Sequence, residues 1–271
     1  MKAKNKWNRI TSSLFIISLM TSLFALQGCS NSSDPEPVDA NPTGYYDATG
    51  TATVKLDDNT TDLNISDLQG MVNSNDFTAM SVATGLVYHG TISALSINSF
   101  NASVSIYRDG TLLTSATIAG TITEGSSITG TLTGTGAGNG TFSLTYAMTN
   151  TPVAALSRVE TAVDVEWNTF VGGSTLSSNS FDVDAGGSLA QVQKSTDGVF
   201  TFCEVASGTI SPVAGTNIYT VEMTLTLCTA TNVNGTYTGL ASSQTESVTD
   251  DRLVLVVSNT NFTLNGVFRR R

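Results

Sequence analysis

The sequence predicts an all-β protein: two antiparallel β modules of meander topology, each a small barrel or sandwich, behind a leader and a linker. Three observations carry this. Apolar and polar side chains alternate through most of the chain after Gly44, turn-forming pairs recur about every ten residues, and no convincing 3.6-residue stripe follows the leader. Alternation at period two places every second side chain on one face of a strand, so a greasy set on that face means a half-buried sheet.

The elements follow in chain order. Ala102, Val104 and Ile106 point inward from a strand ending at Tyr107, and in Ile128 to Thr135 the threonines 129, 131, 133 and 135 form the solvent face. Thr141 to Tyr146 repeats the pattern. Ile218 to Cys228 shows it best, with Tyr219, Val221, Met223, Leu225 and Leu227 on the apolar side. Asp109-Gly110, Glu124-Gly125, Gly138-Asn139-Gly140, Gly172-Gly173, Gly186-Gly187, Asp197-Gly198 and Asn234-Gly235 separate the runs. Asn-Gly and Asp-Gly tolerate positive φ at low cost, which suits tight hairpins. Val153 to Asp164 permits a short helix, and Thr149-Asn150-Thr151-Pro152 interrupts the strands, so the modules are expected at residues 44–150 and 151–271. Three short motifs recur in order with growing spacing: Asn98-Ser99-Phe100 at Asn179, Gly120-Thr121-Ile122 at Gly208, and Asn139-Gly140-Thr141-Phe142 at Asn234. Duplication and chance in a Gly/Thr-rich chain both account for them.

The first 28 residues have a different character. Lys2, Lys4, Lys6 and Arg9 precede an apolar run from Leu14 to Leu26 that is too short for a stable membrane span and has the layout of an export signal. The closing tetrad Leu26-Gln27-Gly28-Cys29 resembles the lipobox of bacterial lipoproteins. That resemblance implies cleavage before Cys29 and lipidation of its thiol, and Ser30 after it implies sorting to the outer membrane. Residues 29–43 are rich in Ser, Asp, Asn and Pro and are expected to be a disordered tether.

Losing residues 1–28 removes four of the 12 basic residues and none of the 22 acidic ones, leaving a charge of −14. So negative a field repels phosphate backbones, which argues against nucleic acid as a partner. With Cys29 acylated, Cys203 and Cys228 remain as an even pair in an oxidising compartment and are expected to form a disulfide, two buried free thiols being the alternative.

The stretch Ser126 to Tyr146, with its Thr-Gly-Thr-Leu-Thr-Gly-Thr run, together with Asn234 to Ala241, resembles a group of two-module β-rich lipoproteins of Gram-negative bacteria. The resemblance runs loosely from Gly44 to Arg269 and implies fold and address, with no activity to carry over. The segment Leu156 to Trp167 departs from that pattern.

Little in the chain points to catalysis. His89 is the lone imidazole, its serines lack a Gly-x-Ser-x-Gly elbow, and one histidine is too few for a usual zinc site, so it is expected as a strand-end residue touching solvent. The cluster Gly134 to Gly140 lacks a P-loop lysine and leads into a strand, which makes it a flexible hairpin turn. Asp182 and Asp184 share a strand face, while Asp57-Asp58 and Asp250-Asp251 fall in turns; none matches a calcium loop. Trp167 is expected as a core anchor rather than a ligand-stacking edge, and Arg269-Arg270-Arg271 as a solvated tail. The reading that survives is a lipid-anchored, non-enzymatic envelope protein without catalytic residues, metal or cofactor. It would bind the membrane through Cys29 and meet a protein, a glycan or a small apolar ligand. The alternatives are a carboxylate-based envelope hydrolase and a surface adhesin.

Overall fold

In the computed structural model, which describes residues 38–147, 153–161, 167–172, 180–193, 203–245 and 251–270, the first eight strands form one closed meander. They are β1 (Gly44–Lys55), β2 (Asp62–Asn73), β3 (Asp76–Met80), β4 (Leu86–Ser96), β5 (Ser99–Arg108), β6 (Thr111–Thr123), β7 (Ser127–Gly134) and β8 (Gly140–Thr145). Each pairs antiparallel with the next, and β1 returns to β8 from Thr51–Ser143 to Val54–Gly140, which closes the barrel and removes its edges. The expected alternation holds: Ala102, Val104 and Ile106 line the lumen, and the threonines 129, 131, 133 and 135 are exposed. Asp109 and Gly110 both take positive φ, at 52° and 82°, and form the two-residue hairpin loop between β5 and β6. Strand β1 shifts register on either side of Gly50, where a Cβ would lie 2.4 Å from the Leu68 carbonyl, so only glycine allows that bend.

The lumen is a packed core. Phe77 and Phe142 face each other at 6.0 Å, and the space left among Leu68, Tyr88, Ile118 and Leu132 is about 10 Å³, room for one water at most. Both mouths are covered. At one, the glycine cluster forms a 3-10 turn at Gly136–Gly138 whose Ala137 is fully buried and whose Gly136 N–H donates to Asn59 Oδ1 at 2.6 Å, so the expected flexible hairpin is an ordered plug. At the other, residues 39–43 strap the strand turns: Ala40 N–H donates to the Ile97 carbonyl at 2.6 Å, Ile97 N–H to Asp39 Oδ1 at 2.7 Å, and Asn41 N–H to Glu124 Oε2 at 3.2 Å.

The second sheet comprises β9 (Trp167–Gly172), β10 (Ser180–Val183), β11 (Leu189–Gln193), β12 (Glu204–Pro212), β13 (Tyr219–Thr226), β14 (Gly235–Gln244), β15 (Arg252–Ser258) and β16 (Thr263–Arg270). Its order is β11-β10-β9-β16-β15-β14-β13-β12, with the first strand paired to the last as in the barrel. The edge strands also approach: Ser188 bridges Thr209, and Ile210 N–H donates to the Gly187 carbonyl at 2.8 Å. The sheet therefore rolls around its own core of Trp167, Tyr219, Tyr237, Leu255 and Phe268. Trp167 is the core anchor the sequence suggested, its indole N–H donating to the Val159 carbonyl at 2.8 Å. The sequence repeats do not follow strand position. Asn139 and Asn234 precede β8 and β14, each after a 3-10 turn, whereas the last strands of the two sheets are β8 and β16.

Two further expectations change. The arginine end is not a solvated tail: Arg269 and Arg270 lie in β16, Arg269 pairs with Asp251 at 3.8 Å, and Arg270 stacks 4.8 Å from the Trp167 ring centroid while donating to the Arg158 carbonyl at 2.6 Å. Arg271 lies outside the described residues. Leu227 leaves the apolar face, because β13 ends at Thr226 and Leu227 takes φ 55° with 68% of its surface exposed. Of the helix permitted over 153–164, the described part holds one 3-10 turn, Leu156–Arg158. The Cys203–Cys228 disulfide is present, with an S–S distance of 2.04 Å, and ties the chain entering β12 to the chain leaving β13.

A third core joins the two sheets. Outward residues Tyr45, Met71, Met80, Val87 and Tyr107 of the barrel pack on outward residues Leu240, Val254, Val256 and Val267 of the second sheet. Strand β15 is consequently buried on both faces, which its unbroken run Leu253-Val254-Leu255-Val256-Val257 suits. Hydrogen bonds rim the contact: Tyr45 N–H donates to Asn217 Oδ1 at 2.8 Å, Tyr107 OH to the Asn259 carbonyl at 2.7 Å, and Leu112 N–H to the Asn261 carbonyl at 2.9 Å.

Val256→Asp would bury an unpaired carboxylate in this contact and should lower the unfolding free energy by about 3–5 kcal/mol in urea melts, whereas Thr131→Asp on the exposed face should change it by less than about 0.5 kcal/mol. Reduction of Cys203–Cys228 should cost about 3 kcal/mol, because the bridge spans a separation of 25 residues. Urea midpoints with and without dithiothreitol measure it.

Candidate functional site

The third core ends where its outward rows change character. Along β4 the outer positions run Val87, His89, Thr91; along β5 they run Tyr107, Ser105, Ser103; along β15 they run Val254, Val256, Ser258. Each row is apolar inside the contact and polar beyond it. There the two surfaces part and leave a groove of about 700 Å³, floored by β4 to β7 of the barrel and walled by Thr238 and the loop Ser258-Asn259-Thr260. Strand pairing aligns the floor in transverse rungs: His89 faces Ser105, which faces Ser115, while Thr91, Ser103, Thr117 and Thr133 make the next rung. The wall is held by Tyr107, whose OH bonds the Asn259 carbonyl, and by Asn259 Oδ1, which accepts from Asn261 N–H at 3.0 Å and Phe262 N–H at 2.8 Å.

None of the groove-lining residues carries a formal charge apart from the titratable His89. Burial disfavours its imidazolium and outweighs the attraction of nearby Asp76, so its pKa falls below the ordinary histidine value and the ring is neutral at pH 7. Behind the groove lining, His89 Nδ1 and Ser258 Oγ are buried with no hydrogen-bond partner, and neither has Thr78 Oγ1, on β3 opposite His89. An unpaired buried group of this kind costs about 1–3 kcal/mol, so these atoms are unspent hydrogen-bonding capacity beneath the groove surface.

Of the residues singled out from sequence, His89 lines the groove and the others fall elsewhere. Cys29 lies outside the described residues. His89 sits inside β4, half-buried, and no carboxylate and serine join it in a triad arrangement among the described contacts. Asp182 and Asp184 do not share a strand face: β10 ends at Val183, and Asp184 Oδ1 caps the following turn by accepting from Gly186 and Ser188 N–H, each at 2.8 Å. These backbone bonds, chiefly Ser188's, pull the Asp184 pKa down. Asp58 is held charged chiefly by the Thr61 hydroxyl, and then by the backbone N–H groups of Thr61 and Thr60. Both acids are turn caps. No cluster of three His, Cys, Asp or Glu side chains suited to a metal occurs among the described residues.

Sequence reading missed Ser105, Ser115, Thr117, Thr133, Ser258 and Asn259. Their signal is the switch from apolar to polar along outer-face positions, which has meaning only once the inner face of each strand is known. The chain matches no family model, no curated protein and no solved structure.

The His89 shift fixes a sign. Between its folded pKa and the unfolded value near 6.5 the unfolded chain binds the extra proton, so this group's contribution makes stability rise with pH through that window and level off above it. The His89 Cε1–H resonance should titrate with a midpoint below 6.5, and His89→Asn should flatten the stability profile between that midpoint and pH 6.5.

Proposed function

We propose that the chain is a lipid-anchored, non-enzymatic binding module of the bacterial outer membrane, carrying its acyl group on Cys29 and its contact site on the flank of the barrel. The observation that carries the reading is the tetrad Leu26-Gln27-Gly28-Cys29 at the end of an export-type leader. Strand content supports it from the other side, since edge-free or edge-matched meanders with covered mouths suit a body that must persist in an exposed compartment. So does the disulfide.

The strap at residues 39–43 limits how far the anchored body stands from the bilayer. Only Ser30 to Val38 separates Cys29 from Asp39, so at about 3.3 Å per residue the strapped mouth stays within roughly 30 Å of the bilayer. A carboxylate hydrolase draws no support from the two acids with displaced titration, because both are held in the charged form by hydrogen-bond donors of their own turns rather than kept protonated. The packed lumen likewise favours a contact site outside the barrel over an apolar ligand within it.

Metabolic labelling with an alkyne palmitate analogue tests the anchor. Full-length protein should carry the label and fractionate with outer membranes, and Cys29→Ser should lose both. Unlabelled wild-type protein, or label that persists on Cys29→Ser, would overturn the proposal.

A further inference from the structure

We infer that the groove between the barrel and the β15–β16 loop is a binding site for a neutral oligosaccharide, an inference that rests on the binding-module reading above and names its ligand class. The lining selects by chemistry. A chain with 22 acidic and 12 basic residues builds this groove without any of them, so nothing there discriminates for or against an ion. Its hydroxyl, amide and imidazole groups both donate and accept, and the same holds for the hydroxyls of a sugar. A lipid or an apolar metabolite would strand these groups without partners.

The geometry agrees. A volume of about 700 Å³ lies within the range of ligand clefts, and it is elongated by construction, because its floor crosses four hydrogen-bonded strands about 4.8 Å apart. Ser258 and His89 both line the groove, and behind that lining Ser258 Oγ and His89 Nδ1 are buried without a hydrogen-bond partner. A side-chain rotation that turns either group into the cleft lets a bound hydroxyl pair with it. The walls are fixed before binding by the Tyr107–Asn259 bond and by the two backbone N–H groups on Asn259 Oδ1, which limits the ordering cost a ligand must meet.

The test uses the full chain carrying Cys29→Ser, so that no detergent with a sugar headgroup competes. Maltoheptaose, cellohexaose and chitohexaose serve as neutral probes and an oligogalacturonate as the acidic one, each followed by amide chemical shifts and calorimetry. At least one neutral probe should shift the amides of Ser105, Ser115 and Asn259 with millimolar or tighter affinity. Thr117→Trp, which fills the groove from an exposed strand position, should weaken that binding at least tenfold, and Thr131→Trp, on the same barrel outside the groove, should leave it unchanged. No shift with any neutral probe up to 10 mM, preferential binding of the oligogalacturonate, or equal binding by Thr117→Trp would each overturn the inference. Acyl labelling reads the anchor separately, so failure here and failure of the anchored reading are told apart.

Discussion

The constraint on which the structure depends is the burial of two β surfaces on each other's outer faces. A closed meander ordinarily spends its apolar residues on its lumen and leaves the outside polar. Here the barrel and the second sheet each keep a row of apolar side chains outside, Tyr45, Met71 and Val87 on one and Leu240, Val254 and Val256 on the other, and these satisfy one another. At about 25 cal/mol per Å² of apolar surface withdrawn from water, a contact of this kind weighs heavily against a net stability of a few kcal/mol. It explains why β15 is apolar without alternation, why buried Asn217 serves both Tyr45 N–H and the Ser242 hydroxyl, and why the groove lies where it does.

Polarity is graded outward from that contact. One end closes on Gln69, Gln244 and Arg252, with Arg252 donating to both glutamine side-chain oxygens and Tyr45 OH donating to Gln69 Oε1 at 2.9 Å. The other end opens into the groove. The remaining barrel face is tiled with threonines, some paired across strands, as Thr121 and Thr129 are at 2.9 Å. Acids such as Asp58 and Asp184 sit in turns, where they cap backbone N–H groups. The uncharged groove is thus a distinct surface, and not a sample of the average exterior.

Much of the fold was legible in the sequence. Period two located β5, β7, β8 and β13, and Asp109-Gly110 located a hairpin, because each depends on neighbours along the chain. Cys203 and Cys228 were legible as a pair through compartment and parity. What was not legible depends on partners distant in sequence. Arg270 looked like a tail because its ring partner Trp167 is a hundred residues away; Leu227 looked like a fifth inward residue because nothing local shows that Cys228 and Asn234 turn the chain there. The groove was least legible. Ser105 and Thr117 read as ordinary solvent-facing residues until the β15–β16 loop is placed over them, and only His89 drew attention beforehand, as the lone imidazole.

Native-state hydrogen exchange tests the shared core most directly, since amides in one cooperative unit open only with that unit. If the two sheets stand or fall together, the slowest amides of β15, Leu253 to Val257, and of barrel strands β1 to β3 should exchange with the same opening free energy and the same denaturant dependence. Barrel amides that stay protected at denaturant concentrations where β15 has already exchanged would contradict it, showing that the outer-face contact does not couple the two sheets.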